Sequence, residues 1–193
     1  MNSNGWCAAV AAGVLALTAE GAFAIVSPQG AINDGQAAMA ACNKAKQGAK
    51  GVEEGMAFVA LPGNHWTGRE GEQCVIYSVR TKKSHLLYAT DTGGIMAETF
   101  SRLSSLPVIT AIVMNAMVGP NMRTDRRIFT HSTPELVQET AAALTGVKRY
   151  QPPAGRPVWT THLSYVMHGT QAEVEKAYPK GVVPAKDGLV IEV

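Results

Sequence analysis

The chain has 193 residues, of which 46% are hydrophobic and 17% are charged, as expected of one globular domain with a substantial core. Its net charge of +2 is too small to indicate a partner. The basic residues are scattered and only 6% of the residues are aromatic, so the sequence shows no nucleic-acid-binding patch.

The N-terminal 26 residues are open to two interpretations. An apolar run at 7–17 precedes Ala22-Phe23-Ala24, which has the small-x-small pattern of a signal-peptide cleavage site. However, residues 1–6 contain no Lys or Arg, and the run is too short to span a bilayer, so we expect no membrane span. The alternative is a hairpin of strands 14–18 and 22–26. We favour the hairpin slightly, and therefore a cytoplasmic protein over one exported by a 1–24 signal peptide.

The next segment, 27–55, is predicted to be a linker or a weak helix. Residues 34–49 have the spacing of one helix, but they contain no side-chain pattern that indicates chemistry. The three cysteines of the chain are widely spaced and form no CxxC pair, so we expect them to be buried small residues rather than zinc ligands or disulfides. They are Cys7, Cys42 and Cys74.

Residues 56–193 form the third unit, in which predicted strands alternate with helices. This alternation is typical of an α/β layered fold. The strands are predicted at 56–61, 74–79, 86–90, 108–114, 158–161 and 189–193, and the first helix at 97–103.

Two further helices have N-terminal signals. The first is predicted to begin at Ser132, with Pro134 in its first turn and Glu135 completing a capping box, and to end at Gly146. Its predicted buried stripe is Leu136, Thr140, Ala143 and Leu144. The second is predicted to begin at a Thr170–Glu173 capping box and to stop at Pro179.

Three metal-binding side chains follow predicted strands. His65 follows 56–61, Asp91 follows 86–90 and His162 follows 158–161. In α/β sheets, ligands bind in the crevice at the carboxyl ends of the strands. Imidazole and carboxylate groups bind zinc, manganese or iron. The spacing alone is a weak signal, because a histidine after a strand is more often a hydrogen-bonding loop residue.

Four short segments strengthen this hypothesis because they occur in one order. They resemble segments of metallo-β-lactamase-fold hydrolases of the phosphodiesterase-like branch, over roughly residues 50–193. The segments are A-L-P-G-N-H ending at His65, L-Y-A-T-D-T-G-G around Asp91, T-H-L-S around His162, and the closing K-D-G-L-V-I-E-V.

The resemblance implies a fold, a metal and an activity. The fold is a partial metallo-β-lactamase fold, an αββα sandwich lacking part of its N-terminal half. His65, Asp91 and His162 would bind a divalent metal, zinc first and manganese second. The substrate would be a small-molecule phosphoester, either a phosphodiester or a cyclic phosphate. His131 matches a histidine that the family uses in proton transfer, so it is the predicted catalytic residue. His85 and His168 match nothing and are expected at the surface.

The sequence also departs from the family. Its H-x-H-x-D-H segment is missing, no histidine precedes His65, and Asn115 stands where relatives often have Asp. A deletion between Val26 and Gly55, or a truncated gene, would account for the missing ligands. The alternative to a hydrolase is therefore a non-catalytic remnant that acts as a binding or interaction module. Half of a sandwich would also expose an apolar sheet face, which predicts a homodimer.

Overall fold

A computed structural model describes residues 15–17, 22–25, 50–53, 56–66, 68 and 74–193, with side chains from Met56 onward. The predicted helix at 34–49, Cys7 and Cys42 lie outside the described residues. Cys74 is described and is buried, as predicted.

The described elements alternate strands with helices from Met56 onward. The strands are β1 (Leu15–Leu17), β2 (Ala22–Ile25), β3 (Lys50–Glu53), β4 (Met56–Pro62), β5 (Val75–Arg80), β6 (His85–Ala89), β7 (Ala111–Asn115), β8 (Val158–Thr161), β9 (Val182–Pro184) and β10 (Val190–Glu192). The helices are α1 (Ala97–Ser104), α2 (Pro134–Gly146), α3 (Tyr165–His168) and α4 (Gln171–Ala177), with a 3₁₀ turn at Arg126–Phe129.

Seven of these strands form one sheet, in the order β3-β4-β5-β6-β7-β8-β9. Strands β3 to β6 are antiparallel neighbours, whereas β6 to β9 are parallel neighbours. Strand β3 lies in the segment predicted to be a linker or weak helix. It pairs with β4, and this pairing satisfies backbone groups that a linker would leave to water.

The sheet buries both of its faces, and alternate residues of β6 and β7 point to opposite sides. One face holds the larger core, which includes Leu87 and Ile112 and packs against Leu103 of α1 and Val137 of α2. The other face holds Leu86, Tyr88 and Val113, and Ile191 of β10 packs there. Such continuous burial is typical of parallel strands covered on both sides.

Strand β10 belongs to a second, three-stranded sheet with the order β1-β2-β10. Strands β1 and β2 pair antiparallel, with Leu15 opposite Ile25, and they lie inside the two strands predicted for the hairpin. Whether residues 1–24 are also a cleaved signal stays a prediction. Because Ile191 packs on the large sheet, the C-terminal strand covers part of the face that the sequence predicted to be exposed.

Helix α2 begins one residue later than predicted. Its N-cap is Thr133, whose side chain accepts a hydrogen bond from the backbone N–H of Leu136, and Pro134 follows in the first turn. The capping box predicted at Ser132 is wrong, because Pro is favoured at the first helical position and so makes the preceding residue the cap. The buried stripe also differs: it consists of Pro134, Val137, Ala141 and Leu144.

Helix α4 has the predicted capping box, in which Thr170 and Glu173 each bond the other's backbone N–H. None of the helices within the described residues combines the length and apolar character needed to cross a bilayer.

Candidate metal centre

The parallel strands bring the candidate residues to one edge of the large sheet. Strand β4 runs in the same direction as β6, because each is antiparallel to β5, and β7 and β8 are parallel to β6. The carboxyl ends of these four strands therefore meet at one edge, where ligand crevices of α/β sheets lie. His65, Asp91, Asn115 and His162 are all at or just beyond those ends.

Asp91 lies at the centre of this edge. Its Oδ1 atom is 3.5 Å from Nε2 of His65, 3.4 Å from Nδ1 of His131 and 3.5 Å from Nε2 of His162. The structure thus brings together the three predicted ligands and the predicted catalytic histidine. His131 reaches the edge from the turn before α2.

The three imidazole rings surround the carboxylate, with His131 in the middle. Its ring centroid is 4.9 Å from that of His65 in an edge-on arrangement and 5.7 Å from that of His162 in a nearly parallel one. One ligand atom each from His65, Asp91 and His131 lie within 4.8 Å of one another. Among the described residues, these three form the compact group that a metal ion would fit.

The donor atoms fit a divalent ion in three respects. Asp91 Oδ1 is buried and has no hydrogen-bond partner among the described residues, and its imidazole contacts of 3.4–3.5 Å are longer than the 2.7–2.9 Å typical of charge-assisted hydrogen bonds. Ligands about 2.1 Å from a tetrahedral ion lie about 3.4 Å apart, close to the observed separations of 3.4–3.5 Å. A carboxylate with neighbouring imidazoles is also a normal donor set for zinc or manganese.

Comparisons with known proteins identify the architecture. No protein-family model matches the sequence, and no curated protein matches it. A possible metal-dependent hydrolase from Veillonella parvula is similar in structure, with 11% identity and a TM-score of 0.50, over 75% of this chain and 56% of that one. The metallo-β-lactamase fold protein YhfI from Bacillus subtilis is also similar, with 12% identity and a TM-score of 0.47, over 74% of this chain and 52% of that one.

A third similar structure is the short form of human tRNase Z, with 17% identity and a TM-score of 0.48, over 76% of this chain and 48% of that one. The chain has part of a metallo-β-lactamase fold. It spans about half the length of these structures. At such identities the likeness concerns the fold alone.

Two residues of this partial metallo-β-lactamase fold adopt an unusual backbone at the site. Asp91 has φ 55° and His162 has φ 56°, values in the left-handed region that non-glycine residues seldom occupy. Asp and His are among the residue types that tolerate this region best. Uncommon backbone conformations of this kind concentrate at functional sites, where surrounding structure holds them.

Asn115 holds the Asp91 loop and the His131 turn together. It is fully buried, its Nδ2 donates to the carbonyl of Thr92 at 2.6 Å, and its Oδ1 accepts from the N–H of Ser132 at 2.9 Å. The sequence drew attention to Asn115 only as a replacement for an expected Asp. An Asp carboxylate cannot donate to Thr92, so the amide is suited to this bridge.

Asn64 links the same loops from the side of β4. Its N–H donates to Thr92 Oγ1 at 2.8 Å, its side-chain amide donates to the carbonyl of Phe129 at 3.0 Å, and its carbonyl accepts from Gly93 N–H at 2.9 Å. A Cβ on Gly93 would lie 2.5 Å from the Phe129 oxygen. Only glycine therefore allows these loops to approach so closely, a requirement that spacing alone did not reveal.

Burial changes the protonation of two groups at the site. It lowers the pKa of His131 to about 4, with the neighbouring imidazoles and Arg127 acting in the same direction and Asp91 opposing them. Burial, followed by the charge of Asp91, raises the pKa of the Cys74 thiol to about 11. His131 is therefore neutral and Cys74 protonated at neutral pH, and a protonated thiol is a poor metal ligand.

The prediction that His85 and His168 lie at the surface is wrong. Both are buried, with exposed fractions of 3% and 8%. His85 Nε2 is 2.7 Å from Ser78 Oγ, and its Nδ1 is 2.9 Å from the carbonyl of Pro107. Burial lowers the pKa of each.

Four exposed apolar side chains lie within four residues of a site histidine in the chain, and we call them the apolar rim. Each is close in sequence to a site histidine: Trp66 follows His65, Phe129 precedes His131, and Tyr165 with Val166 follow His162. All are 72–89% exposed. Such a patch beside a polar cluster marks a surface that meets a ligand or another molecule.

Proposed function

We propose that the chain is a metal-dependent hydrolase that acts on a small phosphoester, with a phosphodiester or cyclic phosphate as the first substrate class. The observation that carries the proposal is the position of Asp91 Oδ1, which lies 3.4–3.5 Å from a nitrogen of each of three histidines. The fold, shared in part with a possible metal-dependent hydrolase, supports the proposal.

The proposed metal site is centred on Asp91, where the sequence predicted His65, Asp91 and His162 as ligands, with zinc as the first candidate and manganese as the second. A bound divalent ion supplies Lewis-acid activation of water and neutralises charge on a phosphoryl oxygen. Asp91 contributes the negative charge that favours a cation, and Asn115 and Asn64 hold the loops in place.

The apolar rim suggests how substrate would be oriented. Trp66 and Phe129 are exposed and lie next to His65 and two residues before His131 in the chain, which would bring them near the organic group of a phosphoester. Aromatic side chains bind planar apolar groups through stacking and edge contacts. We therefore expect esters of aromatic or heteroaromatic alcohols to bind better than esters of small aliphatic alcohols.

The role of His131 as a proton donor stays a prediction. A general acid works best when its pKa is near the working pH, whereas burial lowers the pKa of His131 to about 4. At neutral pH the imidazole of His131 is therefore neutral, whereas a histidine that acts as a general acid must first be protonated.

Metal content and turnover, measured together, test the proposal. Protein freed of metal by chelator is reloaded with Zn²⁺ or Mn²⁺ and assayed with bis(p-nitrophenyl) phosphate. We expect one ion per chain and metal-dependent release of nitrophenol, both lost in Asp91→Asn. His168→Gln is the matched control, because His168 is buried to the same extent as His131 but lies outside the metal centre.

The alternative, a non-catalytic remnant of the fold, has two observations in its favour. The chain spans about half the length of similar structures, and its sequence lacks the H-x-H-x-D-H segment. It predicts a folded chain without turnover at any metal loading. The homodimer also stays a prediction, and light scattering at micromolar concentration would measure it.

A further inference from the structure

We propose that His131 is a metal ligand in this chain, so that one ion is held by His65, Asp91 and His131 rather than by His65, Asp91 and His162. This inference rests on the proposed function for the presence of a metal, but it changes the ligand set and removes His131 from the role of proton donor.

His131 lies against Asp91 and between the other two site histidines. Its Nδ1 is 3.4 Å from Asp91 Oδ1, and its ring lies between those of His65 and His162. The ligand atoms of His65, Asp91 and His131 lie within 4.8 Å of one another. His162 contacts Asp91 at 3.5 Å but, among the described residues, is not a member of this compact group.

His131 also points a buried nitrogen at Asp91 without a hydrogen bond to any described residue. Only 8% of the residue is exposed, and its Nδ1 and the facing Oδ1 of Asp91 are both buried and have no hydrogen-bond partner in the described part of the chain. Leaving a buried polar atom unpaired costs about 1–3 kcal/mol. Two such atoms that face one another are accounted for by a cation coordinated by both.

Hydrogen bonds fix the backbone at His131 and at the residue that follows it, as a metal ligand requires. The N–H of His131 donates to the carbonyl of Arg127 at 2.8 Å. The N–H of the next residue, Ser132, donates to buried Asn115 at 2.9 Å. The imidazole therefore approaches Asp91 from a turn that is held in place independently of the metal.

Two imidazoles and one carboxylate leave further coordination positions open for water and substrate, as in catalytic sites with three protein ligands. His162, with 28% of its side chain exposed, then lies beside the ion at the entrance. There it is available to contact the substrate phosphate. The proposed ligand set thus gives His131 the ligand role that the sequence assigned to His162.

The test compares metal affinity in His131→Gln, His162→Gln and His168→Gln, with Co²⁺ and Zn²⁺ titrated into metal-free protein. We expect His131→Gln to lower affinity more than 10-fold, a loss typical of disturbed metal shells. We expect His162→Gln to stay within threefold of the parent, and His168→Gln to be unchanged. Circular dichroism before titration confirms that each variant is folded.

His131→Cys adds a signature that a structural role would not produce. A coordinated thiolate gives Co²⁺ an intense near-ultraviolet charge-transfer band, so we expect this band in His131→Cys and not in His162→Cys. Parent-like affinity in folded His131→Gln, or the band in His162→Cys alone, would overturn the ligand assignment while leaving the proposed function intact. Failure of the proposed function has a different outcome: the parent chain would bind no metal, or Asp91→Asn would bind it equally well.

Discussion

Strand β6 has a buried histidine near each of its ends, but the two histidines differ in their hydrogen bonding. At the start of β6, His85 is bonded through both ring nitrogens, to Ser78 and to Pro107. Beyond the end of β6, Asp91 and His131 face each other at 3.4 Å without a hydrogen bond. Burial alone therefore does not distinguish a structural histidine from a candidate metal ligand in this protein. His85 and His131 differ in whether their buried ring nitrogens have hydrogen-bond partners among the described residues.

We expect the largest loss of metal affinity from a substitution at Asp91. Asp91→Asn keeps the shape of the side chain and its tolerance of positive φ, but removes the charge. We expect metal affinity to fall more than about 100-fold, exceeding the 10- to 100-fold losses typical of the supporting shell. Isothermal titration with Zn²⁺ measures this.

The same substitution should not destabilise the metal-free protein, because Oδ1 of Asp91 makes no hydrogen bond that Asn would break. Urea unfolding in chelator is expected to give an unfolding free energy equal to or above that of the parent. A clear loss of stability would show that Asp91 is a structural residue like His85.

The opposite pattern is expected at His85. His85→Ala leaves Ser78 Oγ and the Pro107 carbonyl without their partner and opens a cavity, which should lower the unfolding free energy by about 2–4 kcal/mol. Zn²⁺ affinity should be unchanged. A combined loss of stability and metal binding would mean that the two ends of β6 are coupled, and the comparison would fail.

Asn115→Asp tests how the Asp91 loop and the His131 turn are held together at the metal centre. The variant keeps an acceptor for Ser132 N–H but replaces the donor to the Thr92 carbonyl with a carboxylate oxygen. We expect a loss of about 1–3 kcal/mol, measured by urea unfolding in chelator, because a buried carboxylate that faces the Thr92 carbonyl has no proton to donate to it. Asn115→Ser, which restores a small donor, should lose less. Equal stability of parent and Asn115→Asp would contradict the bridging role.

The sequence predicted most of the fold from 56 to 193 because the alternation of strand and helix signals is local. It also predicted that His65, Asp91 and His162 would converge, and they do, since parallel strands bring their carboxyl ends to one edge. The predicted start of α2 was one residue too early, because Ser132 and Thr133 can both act as N-caps. The position of Pro134 favours Thr133.

Other features depended on residues distant in the chain and had no local signal. His85 is buried because Pro107 lies against it, 22 positions later. Asn115 acts through Thr92 and Ser132, which are 23 and 17 positions away. The contact of His131 with Asp91 likewise spans two separate loops, so the sequence identified both residues but not how close together they lie.

The smallest predicted effect concerns pH, where the two ends of β6 should behave alike until metal is added. Burial lowers the pKa of His85 and His131, so the folded state favours the neutral imidazole. The resulting stability is present above the unfolded pKa of about 6.5 and is lost as pH falls below it. For each histidine that stays neutral, lowering pH from 7 to 6 should cost about 0.7 kcal/mol in chelator. This slope should decrease in both His85→Gln and His131→Gln, as measured by urea unfolding at the two pH values.

Zinc should add a further pH-dependent stabilisation in the parent and in His85→Gln, because protons compete with the ion for its ligands. Under the ligand assignment, His131→Gln should lose most of that zinc-dependent part, and an undiminished zinc effect there would return His131 to the structural class of His85.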